Sequence, residues 1–322
     1  MAPRRVLVTG GAGFIGSHLV DGLLEAGDSV CVIDNESTGD RDNVNAAADY
    51  VRGDVRSEDD LKKAFDPAPD AVFHVAGQAS IRLAFADPGE DLGVNVGGTI
   101  KVLERCIELG VPRLVFAGSM TIYGNPVRVP TPEDEPPAPV SFYGTTKYAA
   151  ECYVKLTGAR TDLDPGLAVT CLRMFNVYGP RQSLSNPYQG VLAIFLGNLL
   201  RGEPIRIDGD GEQSRDFVFI DDVVRAWIGC LDEPRSIGRV FNLGSGTPTT
   251  VNALCDAVLN RFGHDRSTYT ITSAEQQEGD VRSSAADITA IREALEWSPQ
   301  VDLAEGLRQT VAWARQSGAP AR

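Results

Sequence analysis

Val6-Leu-Val-Thr-Gly-Gly-Ala-Gly-Phe-Ile-Gly16 is an apolar run broken by spaced glycines that then continues in a helical pattern. It reads as a buried strand ending at Thr9. Gly10 makes a tight turn, Gly13 lets backbone approach a pyrophosphate, and Gly16 allows close helix packing. A helix starting near Phe14, with Ile15 in its first turn, directs its N-terminal amides at phosphate oxygens. A glycine triplet alone marks no more than a strand-to-helix turn, so its neighbours decide. Arg4 to Thr9 reads as strand, Ile15 to Ala26 as amphipathic helix, and a second apolar run, Ser29-Val-Cys-Val-Ile33, stops at Asp34. That carboxylate stands eighteen residues beyond Gly16, about the spacing of an acid that holds adenosine ribose hydroxyls, and it repels the extra phosphate of NADP. The stretch therefore reads as an NAD site.

With 322 residues the chain can bury a large core as one large domain or two smaller ones. A formal net charge of -14 argues against nucleic acid and against a polybasic membrane surface. An anionic substrate is still compatible, where amides and a few arginines converge. The six cysteines, at 31, 106, 152, 171, 230 and 255, include no C-x-x-C. They read as small apolar residues of a reduced, cytoplasmic protein, with neither a disulfide framework nor a metal site. The first strand begins almost at the N-terminus, which leaves no room for a signal peptide, and the longest apolar segment, Val191 to Leu200, is too short for a bilayer.

Strand and helix patterns alternate through the first half, as in a parallel sheet covered on both faces. A strand near Tyr50 to Arg52 runs into Gly53-Asp54-Val55, and a helix capped by Ser57 reaches Phe65. The buried strand Ala71 to Val75 leads into Ala76-Gly-Gln-Ala-Ser80, small residues where a ligand can come close. Leu92, Val96, Ile100, Leu103 and Ile107 repeat at helical spacing between Asp91 and Leu109, with Asn95 inside that helix. The strand Arg113 to Ala117 opens into Gly118-Ser-Met-Thr-Ile-Tyr-Gly124. The following proline-dense stretch reads as stiff and extended, with Glu133, Asp134 and Glu135 as a solvated surface. Tyr143 opens a helix to about Leu156, and a sixth strand, Leu167 to Met174, ends at Phe175. Beyond it the rhythm loosens. A helix to Leu200, strands at Ile205 to Ile207, Asp216 to Ile220 and Val240 to Leu243, and a helix from Asp221 suggest a smaller lobe that partly rejoins the first sheet.

Tyr143 and Lys147 are four apart on one helix, so they project from one face about one turn apart. A tyrosine of ordinary pKa, roughly 10, is a poor base at neutral pH, and an ammonium beside it favours the phenolate. Ser119, at the end of the fifth parallel strand, lies where open sheets bind ligands. Its hydroxyl can share the proton of a substrate alcohol while hydride leaves the carbon, and the three groups can stabilise a carbonyl intermediate.

Taken in order, Thr9-Gly-Gly-Ala-Gly-Phe-Ile-Gly16, Asp54-Val55, Val75-Ala-Gly-Gln78, Asn95, Ser119 with Tyr123-Gly124, Tyr143-Gly-Thr-Thr-Lys147, Phe175-Asn-Val-Tyr-Gly179 and Arg215-Asp-Phe217 resemble the extended short-chain dehydrogenases. Within that group the chain is similar to nucleotide-sugar epimerases of the UDP-glucose 4-epimerase type. The resemblance implies an α/β fold with a Rossmann-type doubly wound parallel sheet over residues 1–175, completed by part of 210–245, and a smaller α/β substrate lobe over 176–322. It implies that Tyr143 is the base, that Lys147 binds the nicotinamide ribose and lowers the tyrosine pKa, and that Ser119 contacts the sugar 4-hydroxyl. NAD takes hydride from sugar carbon 4, the 4-keto sugar rotates, and hydride returns to the other face. Phe14 and Ile15 fall on the pyrophosphate, Asp34 and Asn35 on the adenosine ribose, and Asp54 and Val55 at adenine. Val75, Ala76, Gly77, Gln78, Asn95 and Phe175 complete the cofactor pocket, and Asn176, Arg215 and Asp280 face substrate. A homodimer is implied through a bundle of the Asp91 to Leu109 and Tyr143 to Leu156 helices.

Met120 and Thr121 follow Ser119 where similar dehydratases carry an Asp-Glu pair and decarboxylases a glutamate; neither residue is an acid or base, which leaves redox at carbon 4. Pro180 to Tyr188, with Ser119 to Tyr123, also resembles dTDP-L-rhamnose 4-epimerases, which implies a deoxy or otherwise modified hexose; the alternative is a loop shared among several epimerases. One position departs from the pattern. Gln277 stands three residues before Asp280, where these epimerases usually place an arginine on the diphosphate, and a bidentate charged contact is lost. Either Arg181, Arg215 or Arg282 replaces it, or the ligand is something other than an ordinary nucleotide diphosphate sugar. The expected substrate is a UDP- or dTDP-hexose. A 4-ketoreductase or dehydrogenase using NAD stoichiometrically is the second reading. A non-catalytic NAD-sensing regulator is the third, disfavoured because Ser119, Tyr143 and Lys147 stand together.

Overall fold

Alternation within the first strand, β1 (Arg5–Thr9), sends Val6 and Val8 into one core and Leu7 into another, because successive side chains point to opposite faces. A computed structural model describes residues 3–184, 190–275 and 281–316. The chain continues through α1 (Phe14–Glu25), β2 (Ser29–Asp34), β3 (Asp49–Arg52), α2 (Glu58–Ala64), β4 (Ala71–His74), α3 (Ile81–Ala86), α4 (Pro88–Leu92), α5 (Thr99–Leu109), β5 (Arg113–Ser119), α6 (Phe142–Gly158) and β6 (Ala168–Met174). There follow β7 (Asn176–Tyr178), α7 (Val191–Arg201), β8 (Ile205–Asp208), β9 (Ser214–Phe219), α8 (Ile220–Asp232), β10 (Arg239–Leu243), β11 (Pro248–Thr250), α9 (Val251–Arg261), β12 (Ile271–Ala274), α10 (Thr289–Leu295) and α11 (Leu303–Gln316).

The main sheet has seven strands in the order β10-β6-β5-β4-β1-β2-β3, all parallel. Phe73 and Val115 share the core of Val6 and Val8 with Trp227 of α8. Val72, Leu114 and Phe116 face the other core with Ala150 and Val154 of α6. Strand order reverses direction between β1 and β4, and a doubly wound sheet opens its ligand crevice at such a point, beyond the carboxyl ends of the strands. The remaining strands form a three-stranded sheet, β11-β9-β7, and a two-stranded sheet, β12-β8. Asp222 ties this region to α8: its buried carboxylate accepts the backbone amides of Gln300 and Val301.

Two expectations need correction. The helix expected without interruption from Asp91 to Leu109 consists of α4, a π-helical turn over Gly93–Gly98, and α5. Gly93, Gly97 and Gly98 weaken the α-helical preference there, and such widened turns cluster at functional sites. The acids of the proline-dense stretch are not a solvated surface. Asp134 is exposed, but Glu135 is 4% exposed and accepts from the Val127 amide and the Arg128 guanidinium. Glu133 accepts the Asn242 amide at 2.8 Å. An extended segment without a ladder partner leaves backbone donors to be satisfied, and these carboxylates supply acceptors.

Candidate functional site

At the switch point the ends of β1 and β4 are joined by a buried polar relay. Thr9 Oγ1 accepts the amides of Val75 and Ala76, at 3.2 and 3.1 Å, so its hydroxyl proton is free to point at His74 Nδ1, 2.8 Å away. Nε2 then carries the ring proton toward Thr99 Oγ1 at 3.0 Å, and Thr99 donates to the Asn95 carbonyl. Burial pushes the His74 pKa down to about 3, with the Lys147 charge adding to the effect. His74 is a neutral spacer, and a lone histidine in an apolar strand was the only signal of it in the sequence.

The glycine turn stands at the carboxyl end of β1. Gly10 adopts φ 72°, and a side chain there would also press on the Ala76 backbone. A Cβ at Gly16 would fall on the Gly10 carbonyl oxygen, whereas one at Gly13 would meet only that oxygen, at 3.3 Å, so the outer side of Gly13 is open. The N-terminus of α1 at Phe14 and Ile15 has no side-chain cap, which leaves its dipole and first amides facing that space. Asp34, at the end of β2, accepts the Ala12 amide at 2.9 Å and the Glu36 amide at 2.7 Å. Burial raises its pKa and these amides pull it back. Asn35 donates to Asp54 at 3.0 Å. The Arg56 guanidinium holds the Asp54 carboxyl down at about 2 and reaches Glu90 at 2.7 Å. Val55 is buried against Gly98, where a Cβ would overlap it. An open glycine edge, an uncapped helix start and an adjacent carboxylate suit a dinucleotide.

Farther along the crevice, Ser141 caps α6 by accepting the Gly144 amide, and this helix start sets Tyr143 and Lys147. The Tyr143 phenol lies near the hydroxyl of Ser119, at the end of β5, close enough for the serine to act on its ionisation. In the protein alone burial raises the Tyr143 pKa, Ser119 lowers it, and the charge of Asp91 raises it. Lys147 is 5% exposed, and burial lowers it to about 8. Its ammonium sits 4.6 Å above the Phe116 ring. The resemblance implied that Lys147 depresses the tyrosine; burial outweighs any such effect in the protein alone. A Cβ on Gly77 would lie 2.9 Å from Asn95 Oδ1 and 3.8 Å from Lys147 Nζ, so Gly77, Asn95 and Lys147 meet at one place. Asn95 Oδ1 accepts the Gln78 amide at 2.9 Å. Behind them lies Asp91, an acid that the sequence reading did not single out.

On the other side of Ser119, its hydroxyl is 2.9 Å from Thr121 Oγ1, and Met120 Sδ accepts from Ser284 Oγ at 3.6 Å. Phe175 packs with Ile122, Tyr123 and Ala286. Asn176 Oδ1 is buried with no partner among the described residues, an acceptor open to a ligand donor. Arg215 donates to the carbonyls of Ser214 and Val281. Arg282, which pairs with Asp210 at 2.7 Å, borders the same edge through its carbonyl, which accepts the Ser214 amide. Arg181 instead pairs with Asp21 of α1. Of the three candidate replacements for Gln277, Arg215 and Arg282 thus share one edge, whereas Arg181 lies against α1. Asp280 and Gln277 lie outside the described residues, as does part of Pro180 to Tyr188.

The model of the NAD dependent epimerase/dehydratase family matches residues 6–244. UDP-glucose 4-epimerase of Mycolicibacterium smegmatis is 38% identical over 323 residues, covering 97% of this chain and 98% of that protein. The structure of UDP-glucose 4-epimerase from Thermotoga maritima with UDP-glucose superposes with a TM-score of 0.91 at 41% identity, covering 97% and 99% of the two chains. That of the Thermus thermophilus UDP-glucose 4-epimerase in complex with NAD gives 0.88 at 37% identity, again covering 97% and 99%.

Proposed function

The chain belongs to the NAD-dependent epimerase/dehydratase family and is an NAD-dependent nucleotide-sugar 4-epimerase, and we propose that Ser119, Tyr143 and Lys147 carry its chemistry. The observation that supports this most is that Tyr143, near Ser119, and Lys147 stand one turn apart on α6, with the lysine converging on Gly77 and Asn95.

Gly10, Gly13, Phe14, Ile15 and Gly16 hold the pyrophosphate; Asp34 and Asn35 bind the adenosine ribose, with Asp54 and Val55 at adenine. Val75, Ala76, Gly77, Gln78, Asn95, Tyr143, Lys147 and Phe175 surround the nicotinamide half. When bound, NAD supplies a hydride acceptor and donor for sugar carbon 4, and a positive charge beside the phenol. Tyr143 takes the proton of the 4-hydroxyl, and Ser119 holds the same oxygen. Lys147 keeps an ammonium close by, which favours the phenolate against the opposing effect of burial. As the alcohol becomes a 4-keto group, Ser119 and Tyr143 hold its oxygen, and Tyr143 returns the proton after the sugar has turned. With Met120 and Thr121 beside Ser119, no carboxylate stands there to remove water or carbon dioxide.

The substrate is a UDP- or dTDP-hexose, its diphosphate held by Arg215 with Arg282 close by and its polar groups by Asn176 and Asp280. Residues 1–175 with β10 form the NAD-binding body and most of 176–322 the substrate lobe. The enzyme is a cytoplasmic homodimer. Its proposed face carries exposed apolar side chains: Ile81, Phe85, Leu92, Phe142, Tyr153 and Leu156 on α3 to α6, with Phe85 and Phe142 paired edge to face at 5.2 Å. A patch of this kind on one surface marks an interface. Among the described residues no helix is long and apolar enough to cross a membrane.

Incubating pure protein with UDP-, dTDP- and GDP-hexoses, without added cofactor, and following them by NMR tests this reading. Interconversion of C4 epimers with about one NAD retained per chain is expected. Net NAD reduction in step with sugar oxidation would replace it with a dehydrogenase.

A further inference from the structure

Asp91 is 0% exposed, at the end of α4 where the π-helical turn begins. Its carboxylate accepts from Thr146 Oγ1 at 2.6 Å, Gln78 Nε2 at 2.8 Å and Asn95 Nδ2 at 3.0 Å. The donors come from α6, from the loop after β4 and from the π turn. Thr146 has a single hydroxyl proton, and the short approach to Asp91 takes it in preference to the Tyr143 carbonyl at 3.1 Å. Every partner is a donor, which suits an ionised carboxylate that can only accept. Among the described residues no cation pairs with it; burial pushes its carboxyl up, while Thr146, Gln78 and the charge of Lys147 pull it back. A buried anion held only by neutral donors is costly, and its place beside the catalytic helix gives that cost a purpose.

We propose that Asp91 is a positioning residue for the reaction: through Thr146, Gln78 and Asn95 it locks the loop after β4 to the helix bearing Tyr143 and Lys147, and it sets a fixed negative charge facing both. This rests on the reading of Tyr143 and Lys147 as the catalytic pair. The titratable groups acting on Lys147 are Asp91, Cys171 from β6 and Glu151 on its own helix, with His74 from β4 in turn feeling the lysine. The titratable group acting on Tyr143 is Asp91, beside the neutral hydroxyl of Ser119. Asp91 raises both the lysine and the tyrosine. It keeps the ammonium protonated at neutral pH, and its own negative charge, acting directly on the phenol, makes the phenolate a stronger base once formed.

The test uses NAD-loaded enzyme carrying Asp91→Asn, which keeps the side-chain shape and removes the charge. Both limbs of the pH–rate profile should move toward lower pH, by on the order of one unit. A profile lowered in height but unmoved in position would overturn the proposal, because a purely structural role predicts that. Ultraviolet titration of the Tyr143 phenolate, taken as the difference from the matching Tyr143→Phe protein, should shift the same way, and an unmoved titration would also overturn it. Should Asp91→Asn not fold, Asp91→Ser removes the same charge, leaves room for water and is read identically. If Tyr143→Phe remains fully active while the phenolate titration still responds to Asp91, the charge relationship stands and the assignment of the base is what fails.

Discussion

Thr9 Oγ1 and His74 Nδ1 stand 2.8 Å apart where β1 and β4 part, and the amides of Val75 and Ala76 fill the acceptor side of the threonine. The histidine is therefore locked neutral. Its folded pKa, pushed down to about 3 by burial, lies below the unfolded value of roughly 6.5, so the unfolded chain binds the proton first. Stability from this group is full above about pH 6.5 and is lost as pH falls toward 3, by on the order of 5 kcal/mol across that window. Urea unfolding of cofactor-free protein as a function of pH checks this. His74→Gln should be less stable at neutral pH and show a flatter acid dependence; an unchanged slope would contradict the assignment.

Glu151 and Arg173 form a buried bidentate pair at 2.7 and 2.9 Å that joins α6 to β6, and the guanidinium also reaches the Tyr123 hydroxyl at 2.7 Å. Glu151→Ala strands a buried cation and should cost about 3–5 kcal/mol in unfolding free energy. Glu151→Leu with Arg173→Met should recover much of that loss. If the double variant is no better than the single one, the penalty does not come from the stranded charge.

Asp34→Ala removes the acceptor of the Ala12 and Glu36 amides together with the proposed ribose partner. Purified variant should carry little NAD, and its preference for NAD over NADP should narrow as the repulsion of the extra phosphate is lost. Cofactor content measured after protein denaturation decides the point, and undiminished NAD would place the ribose elsewhere.

Leu156, 70% exposed, and Phe142 belong to the proposed dimer face. Leu156→Glu with Phe142→Ser should shift the mass seen by light scattering from dimer to monomer. A monomeric wild-type protein would remove the bundle from the account.

The nucleotide-binding end was legible because its chemistry is local. Gly10, Gly13 and Gly16 lie within one turn of chain, and Asp34 follows at the next strand end. Tyr143 and Lys147 were legible for the same reason, being four residues apart on one helix. What escaped depends on distant partners. Asp91 looks like an ordinary acid near a helix start until Gln78 and Thr146 close around it, and His74 looks like a core residue until Thr9 and Thr99 flank it. Glu133 and Glu135 were read as solvent-facing because their partners include Asn242, more than a hundred residues away, and the backbone donors of an extended strap. The π turn arose where glycines overrode an otherwise sound helical period. The elements after Leu243, including α9, α10 and α11, carry no motif that announced them.

The central claim is that Tyr143 removes and restores a proton while hydride leaves and returns to one sugar carbon. Wild-type enzyme given UDP-glucose deuterated at carbon 4 should yield the epimer with deuterium still at carbon 4. Tyr143→Phe should retain NAD yet turn over about 100- to 10,000-fold more slowly. Loss of the label to solvent, or a Tyr143→Phe protein as active as the wild type, would contradict the account.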